Sequence, residues 1–212
     1  MKLELYVITD EVIAGGRSHA EIASRAIAGG ADVIQLRDKE CGNRELFRTG
    51  RTMRAITRQT GTLFMINDRL DVALSCRADG VHLGQGDMRA DVARQLAPPG
   101  FVIGVSVRNA EEALSAEEAG ADYVALSPVF STPSKGDAGP GLGCEILRDI
   151  ISRVSIPVIA IGGITRANVG EVIAAGADGV AVISAVAGRP DITAAARELK
   201  DLITRNKRER SL

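Results

Sequence analysis

Three short stretches of the 212-residue chain carry side chains suited to holding a multiply charged anion beside a hard cation. The run Gln35-Leu36-Arg37-Asp38-Lys39 reads as the end of an extended segment, so alternation sets Gln35, Arg37 and Lys39 on one side. An amide, a bidentate guanidinium fork and an ammonium point charge then face one space, which makes an anion clamp. A solvated loop with a surface ion pair is the plain alternative. Further on, Asn67-Asp68 and His82-Leu83-Gly84-Gln85-Gly86-Asp87 supply two carboxylates, Asp68 and Asp87, that could share a Mg2+ ion. Magnesium takes one or two carboxylates and fills its shell with water and phosphate oxygens. Asp68 has a second reading as the cap of a helix that opens Arg69-Leu70-Asp71, whereas Asp87 lies in a glycine-flanked loop with no such structural duty.

Ser106 closes another extended run and faces the same side, unless it serves as a cap ahead of Asn109. The stretch 128–143 is the longest connection and holds Thr132-Pro133-Ser134-Lys135, two hydroxyls and a cation that suit a phosphate. Gly162-Gly163 and Ile183-Ser184 follow the last two apolar runs, where backbone N–H groups can approach an anion closely. His19 and His82 have no second ligand at metal-binding spacing and read as structural or surface residues, His82 being the better pocket-wall donor. No obvious pairing of a nucleophile with a base stands out.

These residues need a scaffold that gathers strand ends. Strand-length apolar runs are predicted at 5–9, 33–37, 63–67, 80–83, 102–106, 123–127, 158–161 and 179–183. Their Val, Ile and Leu are continuous rather than alternating, as in parallel strands buried on both faces. Between them, amphipathic stretches at 18–28, 43–59, 110–119 and 166–175 predict helices, and 192–205 predicts a closing helix before a frayed, charged tail at 206–212. Strict alternation of eight such units predicts a single (β/α)8 TIM barrel over 1–212, with an open doubly wound sheet as the alternative. The phrase Gly-Ala-Asp, with Arg77 in place of its glycine once, recurs at 30–32, 77–79, 120–122 and 176–178. It precedes alternate strands, on the face opposite the candidate site, and reads as structural.

Composition narrows the partners. A net charge of -1 and an aromatic content of 3% provide neither a basic patch nor a stacking platform for nucleic acid. No apolar run approaches the roughly 20 residues needed to span a membrane. Three scattered cysteines suggest reduced thiols, and the absence of a leader-like start adds to the expectation of a cytoplasmic protein. An apolar helix surface would suit a homodimer.

Taken in order, Gln35-x-Arg37-x-Lys39, Asn67-Asp68, the His82–Asp87 run, Ser106, Thr132-Pro133-Ser134-Lys135, Gly162-Gly163 and Ile183-Ser184 closely resemble the thiamine-phosphate synthase (thiamine-phosphate pyrophosphorylase) family. The resemblance begins at Tyr6-Val7-Ile8-Thr9-Asp10 and reaches the eighth predicted strand. It implies a transferase that joins 4-amino-5-hydroxymethyl-2-methylpyrimidine diphosphate to 4-methyl-5-(2-hydroxyethyl)thiazole phosphate, or its carboxylate, releasing diphosphate. It implies that the C–O bond breaks first, leaving a pyrimidine-methyl cation for the thiazole nitrogen. By the same resemblance, Asp68 and Asp87 would bind Mg2+. Gln35, Arg37, Lys39, Asn67, Ser106 and Lys135 would hold the pyrimidine diphosphate, with Leu36 and Asp38 in the same binding run. Thr132, Ser134, Gly163, Ile183 and Ser184 would place the thiazole phosphate, with Pro133 in the same binding run. Arg37, Lys39, Ser106 and Lys135 are the catalytic candidates. A thiazole tautomerase-like barrel would need no diphosphate site, and a non-catalytic thiamine-precursor binding protein would show no turnover.

Overall fold

Each apolar run is covered on both sides, once by the barrel interior and once by the helices. The computed structural model describes residues 1–132 and 139–210. Its elements run β1 Leu5–Thr9, α1 His19–Ala28, β2 Val33–Leu36, α2 Asn43–Arg58, β3 Leu63–Asn67, α3 Leu70–Cys76, β4 Gly80–Leu83 and α4 Ala90–Leu96. The second half continues β5 Val102–Val107, α5 Ala110–Glu118, β6 Tyr123–Leu126, α6 Gly143–Arg153, β7 Val158–Ile161, α7 Val169–Ala174, β8 Gly179–Val182 and α8 Ile192–Arg210. All eight strands are parallel and pair in sequence order, and β8 returns to β1 to close the barrel. This is the (β/α)8 architecture; the open sheet is excluded by the β1–β8 pairing.

Alternation divides the core. Tyr6, Ile8, Val33, Met65, Tyr123, Ile159 and Ile161 fill the barrel, while Val7, Ile34, Leu36, Phe64, Ile66 and Val81 face the helices. Burying each such aliphatic side chain contributes about 1.5–3 kcal/mol. Within the barrel, size is matched across strands: Gly104 on β5 pairs in register with Tyr123 on β6, and a Cβ at 104 would overlap the Tyr123 ring. Glycine there makes room for the phenol.

The recurring aspartates have one common job. Asp32, Asp79, Asp122 and Asp178 each stand before an even strand and accept a hydrogen bond from the first N–H groups of the preceding odd strand: Leu5, Phe64, Ile103 and Val158, at 2.7–2.9 Å. The repeat thus stitches strands in pairs at the N-terminal end of the barrel, leaving the other end for chemistry.

Two helix boundaries differ from expectation by more than one residue. α7 begins at Val169 rather than 166 because Asn168 accepts from the Thr165 N–H at 2.7 Å and donates to the Gly163 carbonyl at 3.0 Å, holding a turn there. α8 continues through Arg210, so residues 206–210 are helical and not frayed. Lys207 donates to the Asp178 carbonyl, and Arg210 donates to those of Ile173 and Ala177. Among the described residues no helix is long and apolar enough to cross a membrane. Met88, Val92 and Leu96 expose an apolar stripe along α4 and the loop before it.

Candidate active site

The C-terminal ends of β2 to β6 surround a cavity of about 410 Å³. Arg37, Lys39, Asn67, Asp68, His82, Gly84–Asp87, Ser106, Arg108 and Ser127 line it. Six of the expected site residues therefore meet in one space: Arg37, Lys39, Asn67, Asp68, Asp87 and Ser106. Alternation explains the inward set, since Asn67 lies two residues beyond Met65 and Ser106 two beyond Gly104.

Arg37 is held from outside the cavity. Arg37 Nη1 donates to Asp10 Oδ2 at 2.9 Å, both side chains being largely buried. Asp10, at the end of β1, accepts from the Ile13 N–H at 3.0 Å through its other oxygen, so the β1 loop aims the guanidinium. The sequence signal for Asp10 was its place at a strand end, the rule that found the other residues. Arg108 and Ser127 were missed as well; each follows its strand by one residue, where a side chain still reaches the rim.

Asp68 takes φ 63, the left-handed region that Asp tolerates better than most residues. Its N–H donates to the His82 carbonyl at 2.8 Å, tying β3 to β4. Arg69, not Asp68, occupies the N-cap position of α3, so the capping reading of Asp68 fails. Asp87 does have a structural duty, contrary to expectation: its Oδ2 accepts from the Gly84 N–H at 2.7 Å and closes the glycine-flanked turn. Among the described residues no group of three or more His, Cys, Asp or Glu gathers as a metal site, so any ion here rests on two carboxylates.

Three residues of the second-strand run lie elsewhere. Gln35 is buried one layer below the rim, its Nε2 donating to Tyr6 Oη at 2.6 Å. Leu36 faces the helices in the outer core. Asp38 accepts from the N–H groups of Glu40 and Cys41 at 3.0 Å. Burial opposes its charge, yet those N–H groups hold its carboxyl below the usual value. Burial and the Asp38 carboxylate together push the Cys41 thiol up to about 11. Ser106 does not cap α5; Asn109 does, accepting from the Glu112 N–H at 2.8 Å. Instead Ser106 Oγ lies 2.9 Å from His82 Nε2, a Ser–His pair that the sequence did not disclose. His19, the first residue of α1, is buried with Nδ1 2.7 Å from Thr9 Oγ1 at the end of β1.

A second hollow adjoins the first. Ser127, Pro128, Thr132, Ile161–Ile164 and Ala181–Ser184 line it, so Thr132, Gly163, Ile183 and Ser184 come together as expected. Ser127 borders both spaces. Gly163 has φ 62, and a Cβ there would come within 2.7 Å of Phe130 Cβ and the Ser131 carbonyl oxygen. The glycine pair therefore also lets the loop after β6 pack on β7, where the Val129 N–H donates to the Ile161 carbonyl at 2.8 Å. Pro133, Ser134 and Lys135 lie outside the described residues.

A rim with three cations and two carboxylates in one space, and hydroxyls with glycine N–H groups in the next, suits two phosphate-bearing ligands side by side. Known proteins point the same way. A family model described as thiamine monophosphate synthase matches residues 5–186. A thiamine-phosphate synthase of Methanoregula boonei is 69% identical over 209 residues, covering 99% of this chain and 97% of that one. One from Moorella thermoacetica is 51% identical over 202 residues, covering 95% and 96%. Among solved structures, a thiamine phosphate pyrophosphorylase from Pyrococcus furiosus superposes with a TM-score of 0.90 at 46% identity, covering 97% of each chain. A 3-hexulose-6-phosphate synthase, 20% identical with a TM-score of 0.66, shares the fold alone. The chain belongs to the thiamine monophosphate synthase family.

Proposed function

We propose that the chain joins 4-amino-5-hydroxymethyl-2-methylpyrimidine diphosphate to 4-methyl-5-(2-hydroxyethyl)thiazole phosphate, or its carboxylate, giving thiamine phosphate and diphosphate. The observation that carries this reading is the convergence of Arg37, Lys39, Asn67, Asp68, Asp87 and Ser106 on one cavity that meets the Thr132–Gly163–Ser184 hollow at Ser127.

The donor set fits Mg2+: Asp68 and Asp87 are hard oxygen donors on neighbouring strand ends, too few to fill a shell, as expected where diphosphate oxygens and water complete it. When bound there, the ion would offset charge on the diphosphate. Arg37, aimed by Asp10, and Lys39 hold the diphosphate oxygens, Ser106 and Asn67 contribute neutral hydrogen bonds, and Lys135, which lies outside the described residues, would add a further cation. Thr132, Gly163, Ile183 and Ser184 seat the thiazole phosphate beside the other cavity, and Ser134, which lies outside the described residues, would join them. The C–O bond to diphosphate breaks with its electron pair leaving on oxygen, and the thiazole nitrogen then closes on the pyrimidine methylene carbon. Stabilising the departing charge and aligning two rings is the protein's share, and it requires no covalent intermediate on the chain.

Three cysteines outside any disulfide support a cytoplasmic setting. The α4 stripe of Met88, Val92 and Leu96 supports a homodimer, which sedimentation tests.

Incubation with both substrates and Mg2+ is expected to yield thiamine phosphate, and neither substrate alone any product. Isomerisation of the thiazole carboxylate phosphate alone, without thiamine phosphate from the pair, would overturn the reading.

A further inference from the structure

Much of the charge on the described rim is already offset. The Arg37 guanidinium lies 2.9 Å from the Asp10 carboxylate, with both side chains largely buried. Asp68 and Asp87 bring two negative charges to the cavity, enough to balance a divalent ion held between them. A diphosphate adds more negative charge, and the charge on its bridging oxygen grows as the bond to carbon breaks. Arg108 lines the same cavity. Among the described residues no carboxylate pairs with its guanidinium, and its one hydrogen bond comes from the backbone N–H, which donates to Glu112 Oε2 at 2.8 Å.

We infer that Arg108 is a further cation of the diphosphate site, binding the leaving group from the β5 side while Arg37 and Lys39 bind it from the β2 side. This rests on the proposed function. Arg108 stands two residues after Ser106, so alternation carries both side chains to the cavity, as it does Arg37 and Lys39. β3 and β4 lie between β2 and β5 in the barrel, so Asn67, Asp68 and Asp87 stand between the two groups of cations. A diphosphate on the carboxylate-held ion is then met by positive charge from both sides. The planar guanidinium can take two of its oxygens at once.

The local structure fixes the base of this side chain and leaves its tip for a ligand. Asn109 caps α5 by accepting from the Glu112 N–H at 2.8 Å, and the Glu112 carboxylate reaches back to the Arg108 N–H and the Asn109 amide. Glu112 is thereby engaged by the cap and not by the guanidinium. Arg108 Nη2 lies 3.5 Å from the place a Cβ on Gly139 would take, so the group reaches from β5 to the loop after β6, on the side where Ser127 also lines the cavity. Arg37 is preset by its carboxylate, whereas Arg108 brings its whole charge to the anion. The thiazole phosphate sits in the adjoining hollow, which Arg108 does not line.

The test is calorimetric binding of inorganic diphosphate in the presence of Mg2+, with KM measured for each substrate beside it. Arg108→Gln is expected to keep the wild-type Tm, because the bond to Glu112 is a backbone one and survives the substitution. It is expected to weaken diphosphate binding about 10-fold and to raise KM for the pyrimidine diphosphate by a similar factor. KM for the thiazole phosphate should stay within about 2-fold. Arg108→Lys is expected to recover part of the loss, since the charge returns without the planar fork. Arg153→Gln removes the same charge from the end of α6, where Arg153 pairs with Asp149, and is expected to bind diphosphate as the wild type does. Wild-type binding in Arg108→Gln, while Arg37→Gln is weakened, would overturn the inference and leave the proposed function standing. Equal weakening in Arg153→Gln would do the same, as a mark of net charge alone. A wild-type protein that binds no diphosphate would overturn both.

Discussion

Asp87 carries a loop and, on the proposed function, a metal ion with the same carboxylate, and the two duties can be separated. Asparagine keeps an oxygen to accept the Gly84 N–H, 2.7 Å away in the wild type, while removing the charge. Asp87→Asn is therefore expected to fold with an unchanged circular dichroism spectrum and to lose about 100-fold or more in kcat. Wild-type turnover in Asp87→Asn would remove this residue from the metal site. Residue types at strand ends were legible in the sequence because alternation assigns a side chain to a face. Depth was not legible. Gln35 shares the side of Arg37 but sits a layer lower, among tyrosines whose partnership depends on barrel closure. The Ser106–His82 contact was hidden for the same reason: the two residues are 24 apart in sequence and meet only through the β4–β5 register.

The strands and their glycines set where the two ligand spaces meet. Gly163 combines φ 62 with a close approach to Phe130 and Ser131, so any side chain there strains the backbone and pushes the loop after β6 away. Gly163→Ala is expected to raise KM for the thiazole phosphate about 10-fold while KM for the pyrimidine diphosphate stays within about 2-fold, since Gly163 lines the second hollow and not the first. Equal loss for both substrates would contradict the division into two spaces. Most element positions were readable from apolar runs, and the four aspartates from their repetition. The ends of α7 and α8 were not, because their partners lie far away in sequence: Arg210 reaches Ile173 and Ala177, and Lys207 reaches Asp178. Removing residues 206–212 is expected to lower Tm by a few degrees, about 2–4 °C for each kcal/mol of lost anchoring, with turnover retained because these contacts lie at the end of the barrel away from the rim. Loss of turnover without loss of stability would be inconsistent with that placement.

Across the whole molecule, the hydrogen-bonded phenols of Tyr6 and Tyr123 inside an aliphatic barrel tie stability to pH as well as to packing. Both buried phenols are pushed above the ordinary value of 10.0. Their contribution is fully present below about pH 10 and is lost as pH rises beyond it, because the unfolded chain then releases protons that the folded chain retains. The urea midpoint is expected to fall between pH 9 and 11, and to fall less steeply in Tyr6→Phe; identical slopes would contradict the buried, neutral state of the pair. On the proposed function, the barrel holds one rim on which a diphosphate leaves and a thiazole nitrogen arrives. The most direct test is diphosphate release from the purified protein given both substrates, with Mg2+ and then with EDTA. The account predicts release that needs both substrates and the metal, matched by an equal amount of thiamine phosphate. Undiminished release in EDTA, or none from folded protein under either condition, would contradict it.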